Sequence, residues 1–246
     1  MRAMARRVKR GLLNWLHPER KSDAELQFWQ QEIVRYQQWF VGDLKSHYEV
    51  PSPTQSQKVA APNLKDASVL TLHKLLCEEK YLQNLELGPE AFRGKRVLDI
   101  GSGPMPGGTC FREIQLYCLD PLWPDYVKAG YPLHYYGGVH FVHAYAEDMP
   151  LADGFIDVVI AVNSIDHVDD IERTAKEIQR VLKPGGWVRM QVHYHRATVT
   201  EPLELNDTKM ADLFTWCRNF RKIKETSEAK SIVLPGDEKF ALWSNF

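Results

Sequence analysis

Apolar positions along this chain follow two rhythms. Leu26, Trp29, Ile33, Tyr36 and Phe40 recur every three or four residues, the spacing of one helical face. Ser22-Asp23-Ala24-Glu25 reads as a capping box opening that helix, with Gly42 as its stop. A second stripe, Val69, Leu72, Leu76 and Leu82, predicts a helix from about Asp66 to Leu87, closed by Gly88-Pro89. Pro51, Pro53 and Pro62 mark the stretch between as loop. Short apolar runs then take over at 96–100, 115–120, 139–143, 156–162 and 187–193, each of strand length. The fourth run is apolar on both faces after Asp157, as in a central strand of a parallel sheet covered by helices. Between the fourth and fifth runs an Asp cap starts a helix that buries Ile171, Ala175, Ile178 and Leu182. Asn206 or Asp207 caps a last helix carrying Met210, Leu213, Phe214 and Cys217, and strands near 220–226 and 239–244 complete the pattern. Residues 196–205 are left as loop.

Alternating strands and helices predict an α/β fold around a mostly parallel sheet. The first strand ends abruptly in Asp99-Ile100-Gly101-Ser102-Gly103-Pro104, a turn that lets a ligand approach bare backbone. A carboxylate just before the glycines needs a positive or hydrogen-bonding partner if buried. The dinucleotide fingerprint Gly-x-Gly-x-x-Gly does not fit, because its third glycine falls on Pro106. Asp120 ends the second strand 17 residues after Gly103. Nucleotide-binding α/β folds place an acid on the ribose hydroxyls at close to this offset, roughly 20 residues. A turn-forming Asp before Pro121 is the plainer alternative.

Composition narrows the classes. A net charge of −1 gives no sign of global nucleic-acid binding, and 44% hydrophobic with 26% charged residues is ordinary for a soluble globular protein. Cys77, Cys110, Cys118 and Cys217 show no Cys-x-x-Cys pairing, so neither a zinc site nor a disulfide framework is suggested. No run approaches the ~18 apolar residues of a spanning helix. These features predict a cytoplasmic protein. Within the first 21 residues, Arg2, Arg6, Arg7, Lys9, Arg10, Arg20 and Lys21 face a single acid, Glu19. Met4, Val8, Leu12, Trp15 and Leu16 add an apolar stripe. That segment reads as a packed or frayed cap, a peripheral anchor at the inner membrane, or a transit peptide.

Four further stretches follow the glycine turn in a telling order: Asp120-Pro121-Leu122, Ala144-Tyr-Ala-Glu-Asp-Met-Pro-Leu151, Asn163-Ser164-Ile165-Asp166-His167-Val168-Asp169-Asp170, and Leu182-Lys183-Pro184-Gly185-Gly186. With hydrophobic-hydrophobic-Asp-hydrophobic-Gly-x-Gly before them, residues 90–192 resemble the class I S-adenosylmethionine-dependent methyltransferases. The resemblance implies one Rossmann-like domain at 63–246, with a seven-stranded sheet antiparallel only in its last strand. Residues 1–62 would form an N-terminal helical extension. It implies S-adenosylmethionine as cofactor, held by Asp99, Gly101, Ser102, Gly103, Asp120, Pro121, Leu122, Ala146, Glu147 and Asn163. The family's adenine-contacting acid falls on Tyr145, a departure that leaves Ala146 (through its backbone) and Glu147 for that contact.

Segments before the first motif often cover the substrate in this class, so Phe28, Trp29, Tyr36 and Trp39 are candidates for a pocket wall, or else for helix-packing core. Phe28-Trp29 and Asp120-Pro121-Leu122 also resemble, more loosely, a bacterial subgroup found with glycan biosynthesis. The implied reaction is methyl transfer to a small-molecule or lipid-linked glycan acceptor, most plausibly at a hydroxyl oxygen. Its proton would be removed by a rim base: His167 first, His193 second, with Asp166 as alternative or orienting partner. His193 and His195 share a face if the strand stays extended, a pair that with Asp166 or His167 has the ligand types for a divalent metal; they are read instead as polar rim or substrate-binding residues, and no metal is assigned. Carbon methylation of a quinone- or polyketide-type ring, and a catalytically silent binding module, are the alternatives. A nucleic-acid methyltransferase is disfavoured, since no Asn/Asp-Pro-Pro-Tyr/Phe follows the fourth strand.

Overall fold

The computed structural model describes residues 18–42, 51–229, 232–233 and 238–246. Strands β1 (Arg96–Ile100), β2 (Gln115–Leu119), β3 (Val139–Val142), β4 (Ile156–Val162), β5 (Leu182–Tyr194), β6 (Arg221–Thr226) and β9 (Lys239–Ser244) form one sheet in the order β3-β2-β1-β4-β5-β9-β6. Neighbours from β3 to β5 pair in parallel, and β9 runs antiparallel between β5 and β6. Two short strands, β7 (Glu228–Ala229) and β8 (Ile232–Val233), make a separate ribbon. The helices are α1 (Pro18–Val41), α2 (Leu64–Cys77), α3 (Trp123–Ala129), α4 (Ile171–Val181) and α5 (Asp207–Leu213). This is the Rossmann-like methyltransferase fold the motifs imply.

Alternation along the central strands feeds two cores. Val97, Val158 and Ile160 pack with Ile33, Tyr36 and Trp39 of α1 and Val69 and Leu72 of α2. Leu98, Val159 and Ala161 pack on the other face with Ile171, Ala175 and Ile178 of α4. The N-terminal helical extension the sequence predicts is present as α1, and it packs on this first core. Asp170 and Asn206 cap α4 and α5 by accepting from Arg173 N and Lys209 N, as the sequence predicts.

Two helices depart from expectation in ways that matter for the site. The chain is already helical at Pro18, so Ser22 lies inside α1 and Ser22-x-x-Glu25 is not its cap. Glu25 reaches across to His167 instead. The helix predicted from 66 to 87 changes to a π-helical turn at Glu78–Gln83. Such turns are common at functional sites. Here Lys80 and Tyr81 both reach the cavity wall described below. Most of the basic 1–21 segment lies outside the described residues. Lys21 is described, and its ammonium bonds to Asp169 at 3.0 Å and to the His167 carbonyl.

A four-residue excursion, 183–186, enters β5 opposite Asp157, where the β4–β5 register jumps. Asp157 ties it down: its carboxylate accepts from Arg96 N at 2.8 Å and meets Lys183. Burial opposes ionisation, but Lys183 and Arg96 outweigh it and hold the carboxyl below its usual range. Asp157→Ala is expected to cost about 1.5–3 kcal/mol of stability at neutral pH, the loss of bonds to a charged group. A depressed folded pKa gives stability that is present above the unfolded value of ~3.9 and lost as pH falls through the folded one. In urea melts, the deficit should therefore shrink between pH 7 and strongly acidic pH.

Candidate active site

A cavity of about 900 Å³ opens at the C-terminal ends of β1, β2, β4 and β5. This is where open α/β sheets bind ligands. One side is the turn after β1. Gly101 has φ +63°, and a Cβ added there would lie 2.6 Å from the Ser164 Cβ. Ser164 Oγ in turn donates to the Ile100 carbonyl at 2.6 Å, so β4 braces the turn. Gly103 has φ +62°, and Trp29 of α1 stands 3.4 Å from where its Cβ would be. At both glycines the backbone faces the cavity without a side chain in the way.

Asp120 sits behind that turn. Its carboxylate accepts from Leu122 N at 2.9 Å and Gly103 N at 3.1 Å, with the Tyr126 hydroxyl at 3.4 Å. Burial pushes its pKa up to about 6 against these bonds. A carboxylate has about four acceptor positions, and Asp120 lines the cavity with capacity remaining.

The opposite side gathers imidazoles and carboxylates. His167 Nδ1 lies 3.2 Å from Glu25 Oε1, and its Nε2 lies 3.6 Å from Glu201 Oε1. Burial lowers its pKa, but Glu25, Asp166 and Glu201 together raise it. His195 Nε2 is 2.9 Å from Asp166 Oδ2, and its Nδ1 is 2.7 Å from the Arg196 carbonyl. Against burial, Asp166 and that carbonyl raise the His195 pKa to about 9. His193 Nε2 is 3.4 Å from Glu238 and its Nδ1 3.9 Å from Glu201, neither in hydrogen-bonding geometry. Glu201 is held down to about 2, chiefly by His193, against burial and with help from His167 and His195.

Residues 98–190 match the family described as a methyltransferase domain. Those residues therefore carry a methyltransferase domain, and their motifs resemble the class I S-adenosylmethionine-dependent methyltransferases. An uncharacterized methyltransferase of Mycobacterium sp. (strain KMS) is 37% identical over 95 residues, 38% of this chain and 36% of that protein. The ajmaline N-methyltransferase of Rauvolfia serpentina is 29% identical over 136 residues, 52% of this chain and 44% of that one. The chain thus spans less than half the length of these curated relatives. Among solved structures, the methyltransferase bound to the Haloferax volcanii Trm112 activator superposes with a TM-score of 0.53 at 18% identity, covering 72% of this chain and 96% of that one. That likeness speaks to the fold.

Within the methyltransferase domain, Gly101, Ser102, Gly103, Asp120, Pro121, Ala146, Glu147 and Asn163 all line the cavity. Two expected cofactor residues do not. Asp99 is fully buried beneath the turn, where burial lifts its pKa to about 7 against the pull of Tyr81, the Gly108 amide and Lys80. Leu122 is buried too, and contributes its amide to Asp120. Both shape the turn from behind. Glu147 has a second task, accepting from Asp169 N and Asp170 N at the entrance to α4.

Of the rim candidates, His167 and His193 face the cavity, whereas Asp166 lies behind it with His195. The aromatic wall divides: Phe28 and Trp29 line the cavity, and Tyr36 and Trp39 are core. Tyr145, the departure from the family pattern, is on the wall. Sequence reasoning missed Glu201 and the reach of Glu25; it put His195 and Asp166 at one rim but not as a hydrogen-bonded pair. The signal for Glu201 was its place just after the histidines at 193 and 195, within 196–205, which the sequence leaves as loop.

Proposed function

We propose that this chain transfers a methyl group from S-adenosylmethionine to a hydroxyl oxygen of a small-molecule or glycan-linked acceptor. What carries the reading is a single cavity walled by two glycines with bare backbone and a buried acid on one side, and by a histidine-rich rim on the other. The turn suits the cofactor: Gly101 and Gly103 bring bare backbone to the cavity wall, and the free acceptor capacity of Asp120 suits a vicinal diol. The sulfonium supplies an activated methyl group when bound, so the chain's own task is alignment and proton removal. Holding the acceptor in line converts a bimolecular displacement into an effectively unimolecular one.

His167 is the base in this reading. It faces the cavity; Glu25 holds Nδ1, and Nε2, which lies 3.6 Å from Glu201 Oε1, is the nitrogen that would turn to the acceptor. Phe28, Trp29 and Tyr145 offer flat apolar faces that suit the C–H face of a sugar or another ring. An amine nitrogen is the second reading, favoured by the carboxylates of Glu25, Glu201 and Asp169 on the same wall, which would attract an ammonium. The N-methyltransferase from Rauvolfia points the same way.

Asp120→Ala is expected to weaken S-adenosylmethionine binding by about 1.5–3 kcal/mol, the range for hydrogen bonds to a charged group. Equilibrium binding on the folded variant checks this, with Asp120→Asn intermediate. The test of the function is a radiolabelled methyl-transfer screen over nucleotide sugars, glycolipids, phenols and amines. Label in a sugar or phenol oxygen supports the first reading, label in amines the second, and no transfer to any class counts against both.

A further inference from the structure

At the cavity wall and just behind it, Asp166, His193, His195 and Glu201 bring one nitrogen or oxygen each to within 4.8 Å of one another. Two lie on the cavity wall, His193 and Glu201, and two lie deeper. The side chains of His195 and Asp166 are 1% and 0% exposed, so solvent does little for their charges. From these positions we infer that Asp166, His193, His195 and Glu201 form a binding site for one divalent first-row transition-metal ion, zinc being the first choice.

Four observations converge on it. The donor set is right: two imidazoles with two carboxylates suit zinc, manganese or iron(II), and two neutral imidazoles with two carboxylates balance a 2+ charge. The spacing is close: bonds of about 2.1 Å put donor atoms roughly 3.4–4.2 Å apart, so small side-chain movements draw the four together. His195 is oriented as metal ligands are, with Nδ1 held by the Arg196 carbonyl; its Nε2, 2.9 Å from Asp166 Oδ2, would exchange that hydrogen bond for the ion. Finally, both ring nitrogens of His193 and Oδ1 of Asp166 are buried and find no hydrogen-bond partner among the described residues. Buried groups of this kind are costly unless something satisfies them.

The elements make the set rigid on three sides. Asp166 follows β4 in a 3-10 turn, His193 is in β5, the strand that pairs with β4, and His195 is one residue beyond it. Glu201 comes from the following loop, braced where its amide bonds Thr198 Oγ1 at 3.0 Å. With His193 and Glu201 on the wall, an ion here would face the same cavity as the glycine turn. An oxygen or nitrogen ligand entering that cavity is the class of molecule it would coordinate. The inference stands apart from methyl transfer, since metal uptake is read without cofactor or acceptor.

The test uses the full untagged chain, stripped with a chelator and dialysed, then titrated with Zn²⁺ by calorimetry and with Co²⁺ by visible absorption. One equivalent should bind with micromolar or tighter affinity and give a cobalt d–d spectrum that Zn²⁺ abolishes. His193→Ala and Glu201→Gln, checked for folding by circular dichroism, should weaken binding on the order of 100-fold, as disruption of such sites does. His134→Ala, on the surface, should leave it unchanged. Failure of the unsubstituted chain to take up one equivalent of either ion would overturn the inference. So would uptake that persists in both folded cavity-wall variants, because the ion would then sit elsewhere.

Discussion

Gly101→Val should remove measurable S-adenosylmethionine binding and destabilise the fold. Two costs coincide at this residue. Its φ of +63° is left-handed, where a β-branched side chain is strained, and its Cβ would meet Ser164 at 2.6 Å. Strain of this kind costs about 1–3 kcal/mol, and overpacking a filled site adds roughly 1–3 kcal/mol. Ser164 has little room to yield, because its hydroxyl is bonded to the Ile100 carbonyl. The two effects can be separated. In a Gly101→Ala background, Ser164→Gly removes the clash but not the backbone strain, so it should restore part of the stability lost, measured by urea denaturation. If Gly101→Val melts like the original chain and binds the cofactor within a few-fold, the close approach at the turn is not what builds the site.

His167→Ala should carry the largest effect on turnover. Loss of a positioned general base typically costs 10²–10⁴-fold in rate, with cofactor affinity within about threefold of the original chain. Glu25→Gln keeps the size of the orienting group but weakens its hold on the ring, so it should fall between. A purely structural His167 would give a different signature, with lowered stability or weaker cofactor binding and little change in turnover on folded enzyme. Full turnover in His167→Ala with the acceptor found by the screen would remove this residue from the mechanism.

What the sequence revealed and what it hid divide along physical lines. β4, Ile156–Val162, was readable to the residue because a strand buried on both faces is a continuous apolar run. The caps at Asp170 and Asn206 were legible because a cap acts within three residues. The glycine turn and Asp120 announced themselves as short motifs. The contacts that build the rim did not. His195 meets Asp166 across 29 residues and His167 meets Glu25 across 142, distances over which local pattern carries no information.

Helical faces were ambiguous for a related reason. Periodicity showed that Trp29 and Tyr36 share a stripe, but not that Tyr36 would enter the core while Trp29 reached Gly103. Ser22-x-x-Glu25 shows the opposite hazard, a local signal overridden when Glu25 was recruited by a distant histidine. Asp99 was correctly marked as a buried acid in need of partners, but its place is beneath the turn and not on the cavity wall.

The central claim is that the turn at Gly101–Gly103 and Asp120 together hold S-adenosylmethionine. Isothermal titration of the full folded chain with S-adenosylmethionine and with S-adenosylhomocysteine tests it most directly. The account predicts saturable binding of both at one site per chain, competitive with each other and weakened on the order of 10- to 150-fold in Asp120→Ala. Absence of heat with either ligand on a chain shown to be folded, or binding that Asp120→Ala leaves untouched, would contradict it.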